Sequence, residues 1–173
     1  MKNKIIKIHL FLYYFFFSKL PNSAFPMGAY FNMLRLMSLK HILSIGDNCK
    51  VQRNVYIGNG LNIQIGNNCR INDNVRLDNV RIGDNSMIAR DCIFLGKMHE
   101  YNNLSIPMIQ QGEKEVKRTV LEENIWIGAR VIIMPGIHIA QGCIIGAGSV
   151  VTKDTLNFGI YAGVPAKLIK QRK

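Results

Sequence analysis

At 173 residues and 48% hydrophobic content, the chain is long enough for one packed domain and too short for two comfortable ones. A net charge of +11 favours anionic partners such as phosphorylated cofactors, acidic glycans or a membrane surface. Nucleic acid is disfavoured, because no recognition helix or aromatic-basic sheet motif accompanies the charge. Cys49, Cys69, Cys92 and Cys143 lack CxxC spacing, which argues against a zinc site or a redox pair and for small buried residues in a reducing, cytoplasmic setting.

Residues 1–44 are expected to form a helical cap. The most apolar segment, 5–17, is too short to span a bilayer, which takes about 20 apolar residues. It begins among lysines as a signal peptide does, but no small-x-small cleavage site follows before Pro21 and Asn22. The expectation is a helix covering the end of a coil, with peripheral contact at the inner membrane surface as the alternative use of its apolar and basic residues. Residues 1–53 hold eight Lys or Arg against one acid, Asp47. A second helix is predicted over about 27–43, where Tyr30, Met33, Leu34 and Met37 recur at helical spacing.

From Ile45 a branched aliphatic returns every sixth residue, through Val51 and Ile57, then Ile65, Ile71 and Leu77, then Ile82, Ile88 and Phe94. The period is clearest at Ile127, Ile133, Ile139, Ile145 and Val151. A helix would repeat every three or four residues and a half-buried strand every second, so six marks a repeating coil. Gly-Asp-Asn and Gly-Asn-Asn steps such as Gly46-Asp47-Asn48 and Gly66-Asn67-Asn68 are corner residues, since Asn and Asp tolerate left-handed backbone angles. The predicted fold is an all-β solenoid, a parallel β-helix over 45–156. It is interrupted by one polar, aperiodic excursion over 96–120 and followed by an extended segment and basic tail over 157–173. Long loops in compact domains are usually functional or disordered.

Together the repeats, the segment Ile125-Trp126-Ile127-Gly128-Ala129, the run from Ile145 to Asp154 and the closing Ala162-Gly163-Val164-Pro165-Ala166-Lys167 resemble the hexapeptide-repeat acyltransferases. That resemblance implies a left-handed coil. Within the superfamily the chain is most similar to galactoside, maltose and polysaccharide O-acetyltransferases. It thereby implies a homotrimer, acetyl-CoA as cosubstrate, no metal, a carbohydrate acceptor and active sites between neighbouring coils. The alternatives are an N-acetyltransferase acting on an amino sugar or antibiotic, or a solenoid scaffold without catalysis.

A sugar hydroxyl holds its proton too tightly to attack a thioester unaided, so the transfer needs a positioned base. His99, in the loop, matches the family's catalytic histidine in its placement before the Trp126 motif. An ordinary imidazole, with a pKa of about 6.5, is mostly neutral at physiological pH and able to accept the proton. By resemblance, the backbone N–H of Ala129 stabilises the developing oxyanion. Trp126, Ala129, Ala147, Thr152 and Lys153 line the acetyl-CoA groove, and Lys167 and Lys170 approach the nucleotide phosphates. Asn72 and Asp78 match acceptor-binding positions, and Glu100 is a candidate to orient His99. Zinc enzymes on this fold need three converging histidines, and only His99 and His138 lie in suitable regions.

Overall fold

The chain closes into a three-sided coil because each hexapeptide lays down one short strand and one corner, so successive strands fall on successive faces. The computed structural model describes residues 2–173. Face one stacks Ser44–Ile45, Ile63–Ile65, Val80–Ile82, Thr119–Leu121 and His138–Ile139. Face two stacks Lys50–Val51, Arg70–Ile71, Met87–Ile88, Trp126–Ile127 and Ile144–Ile145. Face three stacks Ile93–Phe94, Ile132–Ile133 and Val150–Val151, preceded by the isolated bridges from Tyr56 to Arg76 and from Arg76 to Ile93. Every pairing from coil to coil is parallel.

Strand alternation sends the last residue of each strand inward and its neighbour out. Ile71, Ile88, Ile127 and Ile145 thus form one buried ladder, and Ile82, Leu121 and Ile139 another. Each such side chain stabilises the coil by about 1.5–3 kcal/mol through burial. All four cysteines are buried in the same interior. Burial pushes the Cys92 thiol up to about 11, so it stays protonated at neutral pH and is a poor nucleophile. The corners turn through left-handed residues, with φ near 56° at Asn48 and Asn68 and 59° at Asn85. Their amides bond from coil to coil, as in Asn68 Nδ2 to Asn85 Oδ1 at 2.8 Å.

Helix α1, Lys2–Phe15, and helix α2, Gly28–Ile42, pack on each other and against the first coil. Tyr13 donates to the Val55 carbonyl at 2.8 Å and Tyr14 to that of Gly58 at 2.9 Å. On α2, Asn32 accepts from the Val51 N–H and donates to the Cys49 carbonyl. Arg35, wholly buried, donates to the carbonyls of Phe17, Leu20, Pro21 and Val51. Burial lowers its pKa, opposed by Tyr13 and Asp73.

Two segments carry order that hydrophobic period does not announce. The excursion contains an antiparallel ribbon, Met98–His99 with Glu113–Lys114, and a short 3-10 turn, Met108–Gln110. Gln111 ties its tip by accepting from the Asn103 N–H and donating to the Asn103 carbonyl. The closing segment is a hairpin: Gly159–Gly163 extends face two, and Ala166–Gln171 returns antiparallel to it, occupying the open edge.

Candidate active site

The excursion leaves the coil at the corner between faces three and one, after Phe94, and rejoins it at Thr119. At its root a Cβ on Gly96 would lie 2.5 Å from the Asp78 carboxyl carbon, so only glycine lets that carboxylate rest against the loop. Lys97 follows, its ammonium 2.8 Å from Glu113. His99 is exposed and pairs in register with Glu113 across the ribbon, which sets the two side chains on one side of it. The Lys97 hydrogen bond holds the Glu113 carboxyl below the usual carboxylate range, with the charges of Lys97 and His99 adding to the effect. Glu100 has its carboxylate 3.5 Å from the Asn102 amide and makes no hydrogen bond to the imidazole. Glu113 escaped the sequence reading because two-residue strands leave no alternation to count.

On face two, Trp126 points outward, half exposed, between Met87 and Ile144 of the adjoining coils. Beside it opens a cleft of 280 Å³ lined by Lys50, Arg70, Asn72 and Trp126 and walled by Ser23 and Gln52. Asn72 donates through Nδ2 to the Ile88 carbonyl at 3.0 Å, leaving Oδ1 to a ligand. Ala129 and Ala147 stack one coil apart at the corner between faces two and three. They come so close because Gly128 has no side chain: a Cβ there would sit 2.6 Å from the Ala147 nitrogen. Neither the Ala129 nor the Ala147 N–H has a hydrogen-bond partner among the described residues. Such free donors suit pantetheine amides or a thioester oxygen.

Thr152 and Lys153 follow Val151 on the far side of face three, both exposed. Lys167 and Lys170 are exposed on the returning strand, opposite Ala162 and Ile160 at the last edge of face two. The candidate residues therefore sort into two groups. Asn72, Trp126, Ala129, Ala147, Lys167 and Lys170 lie on face two and its corner with face three; Asp78, His99, Glu100, Thr152 and Lys153 lie around the opposite corner of face three. His138 stands apart, outward on face one and 3.0 Å from Glu122. Among the described residues no three His, Cys, Asp or Glu side chains gather as a metal site.

Residues 118–153 match the family described as Bacterial transferase hexapeptide (six repeats), and residues 43–59 match a Hexapeptide repeat of succinyl-transferase. The galactoside O-acetyltransferase of Escherichia coli strain K12 is 35% identical over 131 residues, covering 74% of this chain, and the chain spans 63% of that protein's length. A maltose O-acetyltransferase structure from Clostridium difficile 630 superposes with a TM-score of 0.81 at 28% identity, covering 99% of this chain and 88% of its own. A galactoside acetyltransferase in complex with coenzyme A superposes with a TM-score of 0.73 at 28% identity, covering 98% and 82%. With its three-faced coil, its period of six and these matches, the chain belongs to the hexapeptide-repeat transferase family, and its coil is the left-handed parallel β-helix.

Proposed function

We propose that the protein is an acetyl-CoA-dependent O-acetyltransferase acting on a hydroxyl of a sugar or polysaccharide precursor, and that it works as a homotrimer. One observation carries this reading: the candidate residues fall into two groups on opposite edges of face three. In a three-fold assembly the His99 edge of one copy meets the Asn72 and Trp126 edge of the next, completing a site at each seam. The outward side chains of face three, Ile93, Ile132 and Val150 in register, are apolar as an interface core requires.

In that seam His99 removes the hydroxyl proton as the oxygen attacks the thioester carbonyl; the C–S bond then breaks and the departing coenzyme A thiolate takes the proton from the imidazolium. The Ala129 N–H stabilises the oxyanion without reorganising. Ala147, Thr152 and Lys153 hold the pantetheine arm beside Trp126, while Lys167 and Lys170 face the phosphates as point charges. Asn72 and Asp78 approach the acceptor from the two sides, with Glu100 near it. Among the described residues no cysteine or serine is paired with His99, so transfer is direct. The test is acetyl-CoA consumption with sugar alcohols, amino sugars and no acceptor. Turnover on alcohols supports the reading, turnover on amines alone makes the protein an N-acetyltransferase, and absence of saturable CoA binding makes it a scaffold.

The cap supports a second contact. Helix α1 exposes Ile5, Ile8, Phe11 and Phe15, and α2 exposes Tyr30, Met33 and Met37, each set at helical spacing. No acid precedes Asp47. Among the described residues no helix is long and apolar enough to cross a membrane, but an apolar stripe flanked by lysines lies in the headgroup boundary of an anionic bilayer. The full chain is expected to sediment with phosphatidylglycerol vesicles and not with pure phosphatidylcholine. Phe11→Glu with Phe15→Glu should weaken that binding about tenfold or more; equal sedimentation of wild type and variant would refute the contact.

A further inference from the structure

We propose that the cleft on face two selects an acceptor bearing a carboxylate or phosphate, which Arg70 and Lys50 hold while the sugar ring lies against Trp126. The inference rests on the reading above, in which Asn72 approaches the acceptor and Trp126 stands beside the pantetheine arm, so that the cleft lies on the acceptor side of Trp126. Lys50 and Arg70 are register partners on consecutive coils, both outward and exposed, so their charged heads share one stretch of wall. Two nearby cations are already paired, Arg53 with Asp73 and Arg130 with Asp91. Lys50 and Arg70 form no ion pair among the described residues, and no acid lines the cleft. Two like charges set side by side repel, and a bound anion relieves both at once. Arg70 supplies the planar fork that matches a carboxylate or phosphate, and Lys50 a mobile point charge.

The rim beside Lys50 is built rather than incidental. The Ser23 N–H donates to Gln52 Oε1 at 2.9 Å, and Gln52 Nε2 donates back to the Ser23 hydroxyl at 2.6 Å. This reciprocal pair fixes the connector between the two helices against the coil and gives the cleft a polar rim. Register also separates this anion from those of coenzyme A. Outward residues of face two run Lys50, Arg70, Met87, Trp126, Ile144, Ile160, then Lys170. Trp126 therefore divides one cationic end from the other, and the nucleotide phosphates are assigned to the Lys170 end.

Calorimetric titration of the full-length assembled protein with glucuronic acid, galactose 6-phosphate and neutral galactose, without acetyl-CoA, tests the inference. At least one charged sugar is expected to bind about tenfold or more tightly than galactose, with the preference falling as salt rises. The preferred one identifies the group as carboxylate or phosphate. Arg70→Gln and Lys50→Gln, both surface changes, should bring charged and neutral sugars to similar affinity while CoA binding and thermal stability stay as in the wild type. Equal binding of charged and neutral sugars by the wild type overturns the proposal, as does an Arg70→Gln effect on CoA in place of the sugar. Because binding is read without turnover, selective uptake of a charged sugar supports the inference even if no acetyl transfer is found, an outcome that would instead overturn the acetyltransferase reading.

Discussion

His99→Ala is expected to lower acetyl transfer to a sugar acceptor by about 10²- to 10⁴-fold, the usual worth of a positioned general base, while melting temperature and assembly size do not change. The side chain is exposed on its ribbon and has no hydrogen bond that folding would miss, so the loss falls on chemistry alone. Acetyl-CoA consumption at saturating acceptor reads it, with kcat falling and the KM for acetyl-CoA retained. Glu113→Gln is the informative companion. It keeps the shape of the ribbon but removes the carboxylate that faces His99 across it and is held by Lys97. A carboxylate opposite the base stabilises the positive charge that forms on the imidazole during transfer, so this variant should lose about tenfold in kcat. Turnover of His99→Ala within a few-fold of wild type, with the assembly intact, would eliminate the histidine as base.

The coil was legible because one physical constraint, an aliphatic side chain pointing inward once per face, writes itself into the sequence every sixth residue. Ile127, Ile133, Ile139, Ile145 and Val151 are all buried in consecutive strands, and the Asn residues of the Gly-Asp-Asn steps do take left-handed angles. Contacts between segments without a repeat were not legible. The ribbon that aligns His99 with Glu113 is two residues long on each side, and the closing hairpin is signalled only by Gly163 and Pro165 at its turn. The candidate site shows the same division. The family resemblance singled out Asn72, Trp126 and His99, but their division between opposite edges of face three follows from which corner each hexapeptide occupies. That phase is set by two extra residues near Ile63 and one missing before Ile82, which a count along the chain detects without revealing where they turn it.

Arg35→Leu should destabilise the N-terminal end by about 3–4 kcal/mol, the upper range for a single substitution, because it removes a buried charged donor and leaves several carbonyls without partners. The guanidinium bonds to Phe17, Leu20 and Pro21 on the connector and to Val51 on the first face-two strand. It joins cap to coil through groups that a leucine cannot satisfy. Asp73, whose buried Oδ1 has no hydrogen bond and lies 3.8 Å from Arg53, also loses the favourable field of a second cation. Arg35→Lys retains the charge but not the fork, so it should recover less than half of the loss. Since a solenoid is held mainly by contacts between neighbouring coils, the cap of the Leu variant should melt in an earlier urea transition, followed by Tyr13 and Tyr14 exposure, while the coils around Trp126 unfold at the wild-type midpoint. A single transition shifted by less than about 1 kcal/mol would mean that water enters and satisfies those carbonyls. An early separate transition would instead show that the connector bearing Ser23 is held in place by Arg35, which makes the wall of the face-two cleft depend on a side chain outside it.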